Sequence, residues 1–532
     1  MDKLSFSNEY FYDEVRDGFY IPEMMKRYWA AQLEVLKVID DICRKHNLKW
    51  FANYGTLLGA VRHNGYIPWD DDLDITMLRD DYDRFFELAE KELPEGYCIL
   101  TAEREEDYAY TFGRITNSHS IDMTPDFLAK YHGCPYVVGV DIYPFDNIYD
   151  DPHKEENRLR RGKEIFEAMK MLNTQSFPKS ELEKQLRKTE EITGESIDRS
   201  KNLDNQLCKI MNKICIEARE EASKDVTLEY SWIFWHGYKF PREYFDSYIE
   251  VPFETTTVTV PANYNEILTA LFSDYMVPIR PGGLHDFPVF KEQEAIYRKA
   301  KGANPFRYTL RSENLPPLHQ GRIRTDYEGK DILFLPCRID WWETLKPVFE
   351  GAVAAPGNTV SIIPIPHFDC DFLGNVSEPH INEEDFLSIP EIRDYITTFE
   401  KYGFGPRRPD VIVIQVPFDA YSCALTVPEI LYSDNLLKYT DELVYVPCFD
   451  TAIPESDNDK IVAALQYLIE QPAVVNADRI ILKHERIKEI YLNSLISLTS
   501  PEYRNYWEKK LCLLSEVEWC QLKDTTESSD TL

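Results

Sequence analysis

The chain has 532 residues, 43% of them hydrophobic, enough to bury more than one core, so two or three domains are expected. Its 59 Lys and Arg against 92 Asp and Glu give a formal net charge of −33, which repels phosphate polyanions and speaks against nucleic acid as a partner. No apolar stretch reaches the ~20 residues that span a bilayer, and the acidic, aromatic N-terminus is no basic leader, so a soluble cytoplasmic chain without a transmembrane segment is expected.

In chain order, the first predicted element is an amphipathic packing helix from Met24 to His46, with Trp29, Leu33, Leu36, Val38 and Ile42 at spacings of two to four. After Trp50-Phe51 come a turn at Gly55, a short helix from Leu57 to Arg62, a turn at Asn64-Gly65 and an acidic strand from Trp69 to Met77. A second helix starts at Arg79 and stops at Pro94-Glu95-Gly96. The β-branched run from Tyr136 to Tyr143 reads as a buried strand. From Pro152 to about Val226, dense charge with apolar residues at helical spacing predicts a helical hairpin turning near Pro178. The chain then becomes aromatic and Pro-rich from Trp232 to Arg280.

Residues 311–328 are polar and Pro-bearing and read as a linker between regions 1–310 and 329–523. Beyond it, short apolar strands (Asp331 to Pro336, Thr359 to Ile365, Asp410 to Val416, Glu442 to Val446, Arg479 to Leu482) alternate with helical patterns such as Trp342 to Ala354 and Lys460 to Glu470. That rhythm predicts a doubly wound parallel α/β domain. The polar tail, 524–532, is expected to be disordered. The 11 cysteines are scattered without a CxxC pair, which argues against a disulfide framework or a Cys-rich zinc site.

The most informative segment is GTLLGAVRHNGYIPWDDDLDITM, Gly55 to Met77. On a strand, Asp70, Asp72, Asp74 and Thr76 share one face while Leu73, Ile75 and Met77 anchor the other. Carboxylates held this close repel one another, and protonation or a bound cation relieves the repulsion; oxygen ligands select Mg²⁺ or Mn²⁺. A lone DxD is as readily a solvated acidic face. Gly55-Thr56 ahead of a helix supplies an anion site, with Thr56 as cap and Gly55 allowing close approach of a phosphate. Asp141, in VVGVDIYPFD, is a single acid on a buried strand, costly there unless paired or metal-bound. Arg62, His63, Arg79 and Arg114 flank these motifs, and each reads equally as a phosphate contact or a structural ion pair. His367, Asp369 and Asp371 fall in a predicted loop and are set aside as a metal site.

The run from Phe51 to Phe85, FANYGTLLGAVRHNGYIPWDDDLDITMLRDDYDRF, resembles the signature of the LicD family of phosphocholine transferases, relatives of the fukutin-type transferases. The likeness continues at Phe112 to Ile115, Val140 to Asp146, Val260 to Tyr264, Asp274 to Met276 and His285. It implies an α+β nucleotidyltransferase-like core carrying the helical insertion, so that the whole chain classes as α/β. It also implies transfer of phosphocholine or another phospho-alcohol from a CDP-linked donor to a sugar hydroxyl of a cell-surface glycan or teichoic-acid-type precursor, with Mg²⁺ or Mn²⁺. By that likeness Asp72 and Asp74 are the paired metal ligands, Asp141 the third acid, Asp70 a further candidate, and Gly55-Thr56 the donor-phosphate loop. Peripheral membrane association would come through the acceptor or partner enzymes.

Val411 to Phe449, with Asn476 to Arg479, resembles the N-terminal half of CDP-glycerol glycerophosphotransferases, which implies an acceptor-binding, docking or structural domain. Two alternatives stay open: a nucleotidyltransferase making an NDP-linked product, and a non-catalytic glycan-assembly docking protein. Tyr108, Tyr110, Trp232 and Trp235 can serve either as core packing or as a cage for a quaternary ammonium.

Overall fold

The structure, a computed structural model, describes residues 3–174, 177–228, 237–279, 287–318 and 329–520. His285, Trp232, Trp235, most of the expected linker (319–328) and the tail 524–532 lie outside the described residues. The chain divides into two compact units: Met1–Phe6 with Tyr28–Arg280, and Ser7–Arg27 with Pro281–Leu532. The division at residue 280 precedes the polar stretch that reads as a linker. It also assigns a short N-terminal segment to the unit built from the C-terminal half.

That segment is a hairpin of β1 (Glu14–Arg16) and β2 (Phe19–Ile21), turned at Asp17-Gly18 with both residues at positive φ. Phe19, Tyr20 and Ile21 are fully buried in their unit. α1 (Glu23–His46) follows, beginning one residue ahead of its predicted start.

The first unit is built on a mixed sheet in the order β3-β4-β7-β6-β5, with β8 and β9 added beyond β7. Its strands are β3 (Phe51–Ala52), β4 (Asp74–Leu78), β5 (Cys98–Leu100), β6 (Gly113–Thr116), β7 (Gly139–Asn147), β8 (Asp225–Thr227) and β9 (Lys239–Pro241). β4 and β7 run parallel while the other pairings are antiparallel. α2 (Tyr54–His63) links β3 to β4, and α3 (Arg79–Glu92) follows β4 and stops ahead of Pro94. The acidic strand expected from Trp69 starts only at Asp74. Asp70 and Asp71 spend backbone groups elsewhere: Asp70 N–H closes a turn onto Ile67 O, and the side chains of Trp29 and Gln32 on α1 donate to the carbonyls of Asp70 and Asp71. These bonds replace a sheet ladder.

The expected helical hairpin is a group of three helices, Pro152–Asn173, Lys179–Thr193 and Leu203–Cys215. Ile165, Ala168, Leu186, Leu207 and Met211 make a small core of their own there. The hairpin reading missed the third helix because Gly194, in the left-handed conformation, ends the second one and Asn202 caps a new start. A further antiparallel pair, β10 (Tyr248–Phe253) and β11 (Thr256–Pro261), completes the unit.

The second unit holds a fully parallel six-stranded sheet of β12 (Asp331–Leu335), β13 (Thr359–Ile362), β15 (Val411–Ile414), β17 (Glu442–Tyr445), β18 (Arg479–Leu482) and β19 (Leu511–Leu513), with a two-stranded pair of β14 (Phe368–Asp369) and β16 (Leu425–Thr426) beside it. The spatial order β13-β12-β15-β17-β18-β19 is that of a doubly wound α/β fold, so the overall class is α/β as expected. The helix Trp342–Ala354 matches its predicted bounds, whereas β19 was not anticipated. Asp369, set aside above as a metal ligand, accepts hydrogen bonds from Tyr12 Oη, Asn8 Nδ2 and His380 Nε2, while Glu23 accepts from Ser422 Oγ and Cys423 N. The unit thereby holds its N-terminal segment by side chains as well as by apolar burial. Each of the eleven cysteines is a free thiol. Among the described residues no helix is long and apolar enough to cross a membrane.

Burying Phe19 in this unit predicts that Phe19→Ala costs about 3–5 kcal/mol, measured by urea unfolding, as for a core aromatic. A cost under about 1 kcal/mol would show that the hairpin is peripheral to the unit's stability.

Candidate active site

Parallel pairing of β4 with β7 sets Asp74 beside Asp141, and antiparallel pairing of β6 with β7 sets Arg114 on the other side of Asp141. Neighbouring residues in register project to one face, so these three side chains form a row across the sheet. The polypeptide entering β4 adds Asp70 and Asp72, both half-buried. Burial first, then the charges of Asp72, Asp141 and Asp70, raises the Asp74 carboxyl well above its ordinary range, with Arg114 opposing. Burial likewise raises Asp141, and the Arg114 guanidinium pulls it part of the way back.

Thr56 does not cap α2. Asn53 holds the N-cap position, and Thr56, in the first turn, accepts a hydrogen bond from the Asp74 backbone N–H at 2.8 Å. With Asn53 N–H donating to Asp74 O at 3.0 Å, the start of α2 fixes the start of β4. Gly55 provides room for a carboxylate: a Cβ there would collide with Asp70. Gly55 and Thr56 thus set Asp70 and Asp74 from the start of α2. Asn53 is 4% exposed and its Nδ2 has no hydrogen-bond partner among the described residues, a donor that the motif contained but that sequence reasoning did not single out.

Arg114 closes on Asp141 bidentately, through Nε to Oδ1 and Nη2 to Oδ2, the latter at 2.8 Å. Burial opposes its charge, but the hydrogen bonds and charge of Asp141 hold the guanidinium above its ordinary range. Among the described residues no group of three His, Cys, Asp or Glu side chains is already disposed around one point as a metal centre. The donor set nonetheless suits a hard divalent cation. Among the described residues Asp74 Oδ1 is buried without a hydrogen-bond partner, and the charges that act on it are the carboxylates of Asp72, Asp141 and Asp70 and the guanidinium of Arg114.

One residue pair further along the same face the chemistry turns aromatic. Tyr143, two residues after Asp141, packs against Phe112 at 4.4 Å between ring centroids and edge-on to Tyr54 at 5.6 Å. Phe112 meets Tyr110 at 5.0 Å, and Tyr110 meets Tyr108 at 5.1 Å. Tyr108 is buried, whereas Tyr110 is 51% exposed, so the strip runs from the acids outward. Burial and the charges of Asp74, Asp141 and Asp72 push the Tyr143 phenol above its ordinary value, which places its hydroxyl in the field of the acids.

Of the remaining basic candidates, Arg79 stands away from the row. Arg79, at the far end of β4, forms a two-armed ion pair with Asp146 at 2.6 and 2.8 Å and lies over the Tyr82 ring. Asp146 is five residues beyond Asp141, about 17 Å along the strand. Arg62 and His63 end α2, about 10 Å along its axis from Gly55, and Arg62 donates to Tyr275 O at 2.8 Å.

Comparison with known proteins adds to this geometry. Residues 47–183 match the family model described as LicD/FKTN/FKRP, nucleotidyltransferase domain. This region of the chain is similar to the LicD family. The match brackets Asp70, Asp72, Asp74, Arg114 and Asp141. The lipopolysaccharide cholinephosphotransferase LicD of Haemophilus influenzae is 28% identical over 251 residues, covering 46% of this chain and 88% of the relative. Uncharacterized proteins of Rickettsia typhi and Rickettsia prowazekii are 41% and 48% identical over 81 and 66 residues. Those matches cover 14% and 12% of this chain and 26% and 25% of the relatives.

Within the first unit, the Arg79–Asp146 pair predicts a stability role. Arg79→Met should cost about 3–5 kcal/mol in denaturant unfolding because it strands a buried carboxylate. Arg79→Met combined with Asp146→Leu should recover most of that loss; a double variant as unstable as the single one would refute the pairing argument.

Proposed function

We propose that the chain transfers phosphocholine, or a closely related phospho-alcohol, from a CDP-linked donor to a sugar hydroxyl of a cell-surface glycan. The observation that carries the reading is the row of acids on β4 and β7, with an orphaned Asp74 oxygen, inside a LicD-family domain. The Haemophilus relative's name, a lipopolysaccharide cholinephosphotransferase, points the same way. Asp72 and Asp74, with Asp141, would hold Mg²⁺ or Mn²⁺, and Asp70 stands next to them. When bound, such a cation neutralises diphosphate charge and stabilises the departing CMP.

The chain's own residues supply the rest. Thr56 holds the Asp74 backbone in place, and Asn53 Nδ2 offers an unused donor to a phosphate oxygen. The acceptor hydroxyl attacks the phosphorus that bears the alcohol, the bridging P–O bond breaks and CMP leaves. The aromatic strip Tyr143, Phe112 and Tyr110, about 7 Å along the strands from the acids, favours an alcohol ending in a quaternary ammonium, which aromatic faces attract. The C-terminal α/β unit is assigned acceptor binding or docking.

The deciding experiment offers CDP-choline and Mg²⁺ and measures the released product. CMP is expected; pyrophosphate release from a nucleoside triphosphate would favour the nucleotidyltransferase alternative, and release of neither would favour a docking protein. Asp74→Asn should lower turnover by more than about a hundredfold while leaving the melting temperature at or above that of the natural chain, since it removes both cation charge-pairing and a buried repulsion.

Tyr110→Ala should weaken CDP-choline binding by about tenfold and leave binding of the neutral analogue, CDP-3,3-dimethylbutanol, unchanged. Equal losses for both donors would assign Tyr110 to packing alone.

A further inference from the structure

Arg114 stands between two demands. Its fork is closed on Asp141, yet its side chain keeps 36% exposure and its guanidinium carbon stands 6.0 Å over the exposed ring of Tyr110. The contrast with Arg79 is instructive, because both are two-armed arginine–aspartate pairs anchored on β7. Arg79 is 10% exposed against a 3% exposed Asp146, a closed pair with no route to a ligand. Arg114 is open to solvent on the side where the acids and the aromatic strip meet, and its single positive charge faces Asp141 while the Asp74 oxygen beside it stays unsatisfied.

We propose that Arg114 is a positioning residue that exchanges partners. In the cation-free protein it neutralises Asp141; when a divalent cation takes over that task, Arg114 leaves Asp141 and turns to the donor diphosphate. The inference rests on the reading of the acids as a cation site for a CDP-linked donor. Three features support it. Arg114 reaches Asp141 from the adjacent strand as a direct register neighbour, so one side-chain rotation releases it without moving the backbone. A guanidinium fork that fits a carboxylate fits a phosphate equally well. The 36% exposure of the Arg114 side chain leaves the guanidinium room to turn away from Asp141. The consequence is a competition: Arg114 and the cation contend for Asp141, and the cation's arrival frees Arg114 for phosphate.

The test uses the full chain and Mg²⁺ alone, by calorimetric titration. Arg114→Gln should bind Mg²⁺ about tenfold more tightly than the natural chain, the worth of one charge-assisted hydrogen bond. Loss of positive charge would raise cation affinity through the general field as well, so the same substitution is made in an Asp141→Asn background. Competition for Asp141 predicts that the gain disappears there, whereas a gain that persists overturns the proposal. With Mg²⁺ saturating, Arg114→Gln should also bind CDP-choline more weakly, and Arg114→Lys should restore part of that binding; donor affinity unchanged in Arg114→Gln overturns the second half of the exchange. If Arg114→Gln does not fold, Arg114→Lys decides, because it keeps the charge but loses the fork: tighter Mg²⁺ binding supports the exchange and unchanged binding refutes it. Should the natural chain fail to bind Mg²⁺ at all, the cation reading of the site fails; Mg²⁺ binding that Arg114→Gln leaves unimproved defeats the exchange alone.

Discussion

Two carboxylates forced side by side inside a protein repel one another, and the register that pairs Asp74 with Asp141 makes that repulsion a constraint on everything around it. Charges on strands about 5 Å apart interact by about 3 kcal/mol at an effective dielectric of 20. Asp70 and Asp72 add to the sum. A charge-assisted hydrogen bond returns about 1.5–3 kcal/mol, so the one guanidinium in the row offsets a single pair and not the whole set. The surrounding devices follow from that imbalance. Thr56 and Asn53 tie down the Asp74 backbone, Gly55 leaves Asp70 its place, and Arg114 takes Asp141. A net charge of −33 gives no help from the distant field, so compensation has to be local.

Much of this site was legible in the sequence, and for a definable reason. The acids at 70, 72, 74 and 141 lie in short motifs whose residue types carry the chemistry, and neighbouring strands brought them together. The roles of individual partners were less legible. Gly55-Thr56 reads as a phosphate loop because a glycine ahead of a helix has that use, but which atom fills the space beside Gly55 depends on how the segment from Gly65 to Leu73 folds back. Arg79 and Arg114 look alike in sequence; only the strand register separates one closed at the far end of β4 from one facing the acids. Of the aromatic strip the sequence offered Tyr108 and Tyr110; Tyr54, Phe112 and Tyr143 escaped notice as its members because they come from three separate elements.

The fold was read best where a local pattern is self-sufficient. The helices at Glu23–His46, Arg79–Glu92 and Trp342–Ala354 and the apolar strands of the second unit all carry their periodicity within one window. Where side chains from elsewhere satisfy the backbone, the pattern misled: Asp71 looks like part of a strand, yet Gln32 takes its carbonyl. β19 has three residues, too few for a period to declare itself.

The N-terminal hairpin sets a limit on treating the two units as separable along the sequence. Phe19, Tyr20 and Ile21 are buried in the core of the unit formed by the C-terminal half, although in chain order they precede the bulk of the first unit. Burying three such side chains is worth about 5–9 kcal/mol, comparable with the whole stability of a typical domain. A cut within residues 311–328 therefore leaves the first unit joined to an apolar hairpin whose partners are gone, and trimming the first 27 residues strips the second unit of part of its core. Chain order and core membership differ here. The polar stretch 311–328 has the composition of a linker, but the two units share out the chain by burial, so loss of activity on truncation there would report exposed apolar surface before it reported anything about catalysis.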